Sequence, residues 1–214
     1  MSLPIKGIIV GSAAATASTG GIYLGIKYFD RESIKGHLLK SGYKLISSLS
    51  KNEEAPQWEE EFKSDKLKIR ALLNISERED ALGGDKLKEW CHGKMALKYS
   101  KDNEDLENVK KYCVIKTVKD QLSRNNKTAL TDSSNESKWT STYNQRKSTT
   151  DLTPRSQIEG LVGEWSGSQA AVDLPIIKQW CRQNLKKNFV VKKLGDQYKV
   201  IENWCTEEGA KVSN

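Results

Sequence analysis

Leu87-Lys-Glu-Trp90-Cys91, Val109-Lys-Lys-Tyr112-Cys113, Ile177-Lys-Gln-Trp180-Cys181 and Ile201-Glu-Asn-Trp204-Cys205 contain every cysteine of the chain, and all four read aliphatic-x-x-aromatic-Cys. On an α-helix, positions i, i+3 and i+4 share a face, so each motif sets an aliphatic side chain, an aromatic ring and a thiol together on a buried stripe. The polar residues between them turn outward. The motifs also come in pairs, 22 residues apart from Cys91 to Cys113 and 24 from Cys181 to Cys205. Trp58 with Phe62 precedes the first pair and Trp139 with Tyr143 precedes the second, so the likeness extends beyond the cysteines. A degenerate duplication explains this pattern. The chain reads as mainly α, with helical repeat 1 at 56–122 and helical repeat 2 at 139–208. A polar linker over 123–138 separates them, and a tail covers 209–214.

Other features punctuate these units. Asp30 to Ser41 is predicted as a short helix with Gly42 as its αL cap, followed by a brief extended segment at Tyr43-Lys-Leu-Ile, so that 30–55 forms a juxtamembrane helix and turn. Pro56 suits a first helical position. Gly83-Gly84-Asp85 reads as a break and N-cap for the helix bearing Leu87 and Cys91. A second helix is expected from Asp102 to Cys113, with Cys113-Val-Ile extended after it. Thr117-Val-Lys-Asp120 has the form of a capping box with Asp in place of Glu. Ser, Thr, Asn and charge dominate 123–157, and helices follow at Leu174-Pro175 and over Asp196 to Cys205.

Before all of this stands an uncharged stretch of twenty residues, Gly7 to Ile26, reading GIIVGSAAATASTGGIYLGI between Lys6 and Lys27. At about 1.5 Å per residue it matches a hydrocarbon core of about 30 Å, which makes 1–29 an N-terminal membrane anchor with a single transmembrane helix. A cleaved secretory signal and a soluble segment compete with this reading. Ala15-Thr16-Ala17 resembles a cleavage site, although the Ile8-Ile9-Val10 run is short for a signal core. Gly7-x-x-x-Gly11 and Gly21-x-x-x-Gly25 fit the small-residue spacing through which spanning helices pair, which would make a homodimer contact. Lys27, Arg31, Lys35 and Lys40 follow the span, and the positive-inside rule then points the rest of the chain toward the cytoplasm.

The composition, 36% hydrophobic against 29% charged, leaves a thin core for 214 residues, so covalent staples would help. The formal charge of +7 and pI near 9.1 raise the question of nucleic acid. Lysines interleaved with acids and the lack of an aromatic-basic strip argue instead for a solvated surface, and no nucleic-acid partner is expected. Among the three possible pairings of the cysteines, the repeat selects Cys91–Cys113 with Cys181–Cys205. Reduced, buried thiols and a four-thiolate zinc site remain open beside the disulfides, though C-x-x-C knuckles are missing.

Nothing in the sequence assembles an active site. No phosphate loop, dinucleotide fingerprint, nucleophile elbow or HExxH motif occurs, so no enzyme, cofactor or metal is expected. A Cys-His dyad joining Cys91 or Cys181 to His37 or His92 stays open on residue types alone. Glu59-Glu60-Glu61 reads as a solvated face favoured by a helix dipole. Asn74, Asn126 and Asn135 each begin a glycosylation sequon.

The opening MSLPIKG with its Gly/Ala/Ser-rich span, the Ser41-Gly42-Tyr43 turn, Trp58 and the recurring Trp-Cys and Tyr-Cys-Val elements resemble the large paralogous protein families of haemotropic mycoplasmas. The resemblance implies a surface-exposed, single-pass protein of the cell membrane whose C-terminal domain is extracellular. It also implies contact with host or neighbouring surface proteins and no catalytic residues. In a wall-less bacterium an exported domain meets an oxidising exterior, which favours disulfides and makes the three sequons irrelevant.

Overall fold

A computed structural model describes residues 32–76 and 78–209 of the chain. They form ten α-helices: α1 (Ile34–Lys40), α2 (Lys51–Ser64), α3 (Lys66–Leu73), α4 (Asp80–Ala96), α5 (Leu106–Tyr112), α6 (Val118–Arg124), α7 (Glu136–Ser148), α8 (Ala170–Leu185), α9 (Val191–Leu194) and α10 (Gln197–Cys205). Short 3₁₀ turns lie at Ile46–Ser48, Arg155–Gln157 and Trp165–Gly167. Isolated antiparallel bridges tie the helices together, and the fold is mainly helical as its periodicity predicts.

Local chemistry sets the helix ends. Ser33 Oγ accepts from Gly36 N at 3.1 Å to start α1. The Thr117–Asp120 capping box forms as read: Thr117 Oγ1 accepts from Asp120 N at 3.2 Å, and Thr117 N donates to the Asp120 carboxylate at 3.3 Å. Gly42 takes φ +84° after α1, as expected of an αL cap. The sequon asparagines turn out to be local punctuation. Asn74 (φ 51°) and Asn126 (φ 57°) supply left-handed turns, and Asn135 caps α7 by accepting from Ser137 N at 2.8 Å.

The hydrogen bonds repeat between the two halves. Ile34 N donates to Leu97 O and Tyr99 N to Glu32 O in the first half, and Val118 N donates to Lys187 O and Phe189 N to Lys116 O in the second. Ile46 N donates to Cys113 O and Ile115 N to Lys44 O, matched by Leu130 N to Cys205 O and Glu207 N to Thr128 O. The bridges Ser33↔Lys98 and Leu45↔Val114 likewise recur as Thr117↔Asn188 and Ala129↔Thr206. Each unit therefore begins with a short capped helix and returns to it twice. The two extended segments expected at Tyr43-Lys-Leu-Ile and Cys113-Val-Ile are partners in one of these bridges.

Two hydrophobic cores follow the same division. One gathers Ile34, Leu38, Trp58, Phe62, Leu87, Cys91, Val109 and Cys113, and the other gathers Val118, Leu122, Trp139, Tyr143, Ile177, Cys181, Ile201 and Cys205. The boundary falls between Val114 and Val118. By these contacts the units span 32–115 and 116–209, wider than the 56–122 and 139–208 framed by aromatic and cysteine landmarks. Their opening helices, α1 and α6, carry only aliphatic core residues and give no such landmark. The segment 123–138 contributes the fully buried Leu130 to the second core.

Several local expectations are corrected. Gly83 and Gly84 lie inside α4, and a Cβ on Gly84 would stand 2.8 Å from Glu59 N, so these glycines permit backbone contact between α4 and α2. Pro56 is likewise interior to α2, which starts ahead of it because Ser50 and Glu53 bond reciprocally at the helix entrance. The helix expected from Asp102 is confined to Leu106–Tyr112. Trp90 and Trp180 are only half-buried at the edges of their cores, whereas Tyr112 and Trp204 are fully enclosed. The proposed span at 7–26 lies outside the described residues, and among the described residues no helix is long and apolar enough to cross a membrane.

Candidate functional site

The cysteines are brought together in the pairing that the repeat selects, Cys91 with Cys113 and Cys181 with Cys205. Cys91 projects from α4 and Cys113 follows α5, while Cys181 projects from α8 and Cys205 ends α10. All four are wholly inaccessible to solvent. Thiol–disulfide exchange requires a thiolate to reach a sulfur, so bonds in this setting act as staples. The sulfurs are engaged pairwise in separate cores, and among the described residues no group of His, Cys, Asp and Glu could hold a metal ion. Neither histidine meets a thiol. His37 stacks on Tyr99 with ring centroids 3.6 Å apart, and His92 is exposed.

The junction between the units carries the densest buried charge. Glu61, 2% exposed, accepts from Lys116 Nζ at 2.7 Å and from Arg124 Nη1 at 2.6 Å. Arg124 also donates to Ser64 Oγ at 3.1 Å and lies over the Tyr112 ring, 5.3 Å from its centroid. Burial pushes the Lys116 ammonium below its ordinary value, with the Glu61 charge opposing the shift. Burial likewise raises the neighbouring Glu60 carboxyl. Gln57 Oε1 accepts from Val191 N at 3.0 Å, meeting the first backbone donor of α9, and Lys193 pairs with Glu53 at 3.1 Å.

This junction corrects the reading of Glu59-Glu60-Glu61 as a solvated face. Only Glu59 is exposed; Glu61 shares with Gln57, Trp58 and Phe62 the side of α2 that faces inward. Its spacing from Trp58 and Gln57 was the available signal. A carboxylate there is tolerated because two cations from the second unit converge on it.

The second unit holds two further buried polar groups that residue types alone did not single out. Arg155 forms a fork on Asp173, with Nη2 donating to Oδ1 at 3.0 Å and Nη1 bonding Oδ2, while Tyr143 donates to Oδ2 at 2.7 Å. Arg155 also donates to Val162 O and Gly163 O, and it fastens the long connection between α7 and α8. The hydrogen bond from Arg155, followed by that from Tyr143, holds the Asp173 carboxyl below its usual range. Arg146, 1% exposed, donates to Asn203 O and Thr206 O at 2.9 Å each, at the carbonyl end of α10. Burial brings its guanidinium down to about 9.

The charged groups of these clusters are partnered within their own chain. Their chemistry is that of fastening: disulfides within each unit, an ion pair within the second, and ion pairs between the two. The glycines Gly7, Gly11, Gly21 and Gly25, read as a homodimer contact, lie outside the described residues. No family model, no curated protein and no solved structure matches the chain.

Proposed function

We propose that this chain is a membrane-anchored surface protein, held by residues 7–26, that presents its duplicated helical domain outward in a structural or host-contact role. The observation that supports this reading is the pair of fully buried disulfides, one in each unit. Disulfides form and persist in oxidising compartments and are rare where glutathione and thioredoxin keep thiols reduced. A twenty-residue uncharged stretch ahead of such a domain suits a single span.

Intact cells of the source organism test it. Added protease should remove residues 32–209, and iodoacetamide added after denaturation without reductant should leave all four cysteines unmodified. Protection of the domain in intact cells together with free alkylation of the cysteines would overturn outward display. That result would favour a second reading, a cytoplasmic-facing tethered binding module with reduced cysteines, which rests on Lys27, Arg31, Lys35 and Lys40 following the span.

A further inference from the structure

The second unit carries a groove of about 730 Å³ with Leu130, Trp139 and Leu185 buried at its base and with four cations and the carboxylates of Asp120 and Asp132 around them. Along it α8 sets Lys178 and Arg182, and Lys186, the residue that caps α8, continues the same four-residue spacing, a row about 12 Å long. Lys119 of α6 adds a fourth cation. Lys119 and Lys186 are exposed and form no ion pair among the described residues. The other two hold carboxylates of the chain itself. Arg182 grips Asp132 through Nε at 2.9 Å and Nη2 at 2.7 Å, and Lys178 pairs with Glu136. Both acids are well exposed, at 63% and 69%, so solvent weakens the single-point Lys178–Glu136 pair and an incoming carboxylate can replace it at low cost, while the two-point Arg182–Asp132 pair is the stronger competitor.

The first unit retains the apolar base and only part of the basic rim. The positions equivalent to Leu130, Trp139 and Leu185 are Ile46, Trp58 and Met95, which are buried and apolar. Those equivalent to Lys178, Arg182 and Lys186 are Lys88, His92 and Ala96, with Lys88 tied to the less exposed Glu54 at 3.1 Å. The complete basic row is therefore a property of one repeat, added to a shared fold.

We propose that this groove docks a short acidic peptide segment of a partner protein. One large apolar side chain packs on the aliphatic stems of Lys178, Arg182 and Lys186 above the buried Leu130, Trp139 and Leu185, and flanking carboxylates meet the charged ends of that row. A single-headed amphiphile would engage one end of the row, whereas a peptide with spaced carboxylates matches its length. This goes beyond outward display and does not depend on it, since docking is read on purified protein and display on intact cells.

The test is fluorescence anisotropy of a fluorescein-labelled Asp-Glu-Leu-Phe-Glu-Asp peptide with the full chain in non-ionic detergent. Saturable binding is expected, weakened about tenfold by Arg182→Ala with Lys186→Ala, weakened by added salt, and unchanged by Lys88→Ala. A peptide with Ser in place of Leu and Phe should bind far less. Matching thermal melts of the double variant and the parent separate loss of docking from loss of fold. Absence of saturable binding, indifference to the double substitution, or equal binding of the Ser peptide would overturn the proposal. So would phosphatidylglycerol vesicles that bind through Arg182 and Lys186 when the peptide does not, which would make the row a membrane-surface contact.

Discussion

Gly84→Ala and Gly93→Ala place the same methyl group in the same helix and should shift stability in opposite directions. Both glycines lie within α4, where alanine is favoured over glycine by about 1 kcal/mol. At Gly93 an added Cβ meets nothing within 4 Å, so that gain is realised. At Gly84 it falls 2.8 Å from Glu59 N, 2.9 Å from Trp58 C and 3.0 Å from Glu59 Cα. These are backbone atoms of α2, and no rotamer change removes them; the helices must separate. Overpacking of this kind costs about 1–3 kcal/mol before the propensity gain is subtracted. The outcome expected is a stabilisation of about 1 kcal/mol for Gly93→Ala and a net loss of up to about 2 kcal/mol for Gly84→Ala. Urea unfolding with unchanged slopes would read this as two displaced midpoints, and thermal melts should separate the variants by roughly 5–10 °C. If Gly84→Ala proved as stable as Gly93→Ala, the close approach of α2 and α4 would be wrong, and with it the explanation for two adjacent glycines inside a helix.

Replacing Cys181 and Cys205 together by alanine should remove about 3 kcal/mol through the loop-closure entropy restored to the unfolded chain, and the Cys91/Cys113 pair should behave alike; urea midpoints measure both. Glu61→Ala leaves Lys116 and Arg124 facing each other at the junction, and a loss of about 3 kcal/mol is expected by the same assay. Asp173 supplies a pH test. Its folded carboxyl lies below the ordinary 3.8, so its contribution is complete above that value and disappears as pH falls through the folded one. The stability gap between the parent and Asp173→Asn should therefore be constant at neutral pH and shrink below about pH 4, as followed by urea titrations at several pH values. A gap that widened in acid would refute the Arg155–Asp173 pairing.

What the sequence disclosed and what it hid follow from the range of the interactions involved. Helical spacing is local, so the aliphatic-x-x-aromatic-Cys motif placed Leu87, Cys91, Ile177 and Cys181 on buried faces without tertiary information. Capping is local too, and Thr117 with Asp120 could be read directly. Glu61 was misjudged because its partners lie 55 and 63 residues away, and a carboxylate that two distant cations neutralise has the same local pattern as a solvated one. The stretch 123–157 hid its structure for a related reason. Its order comes from Leu130, Trp139, Arg146 and Arg155, each fixed by a partner outside the stretch, while its Ser and Asn residues serve as caps and turns. Gly83-Gly84 looked like a break because glycine signals a loop unless a second helix is known to press against it.

The two units differ in a patterned way that the shared bridges make visible. Where the first sets Phe62 against Gly83, with no room for a Cβ, the second sets Tyr143 against Asp173 and joins them by a hydrogen bond. Where the first places Asp65 at the end of α2 to accept from Tyr112 and pair with Lys111, the second has Arg146, which reaches the carbonyls at the end of α10, and Trp204 in place of the tyrosine. Trp204 donates to Gln157 at 2.8 Å and stacks on Trp165, both from the long connection that replaces α3. Each exchange is complete only as a set, since a lone Gly83→Asp would strike the Phe62 ring and a lone Arg155→Ala would strand Asp173. The two repeats thus share the frame of bridges and disulfides and differ in the contacts inside it as coupled groups. The basic row on α8 differs in kind. Lys178, Arg182 and Lys186 lie toward the surface, the first two paired with the exposed Glu136 and Asp132, and positions of this kind can change one at a time with little cost to the fold.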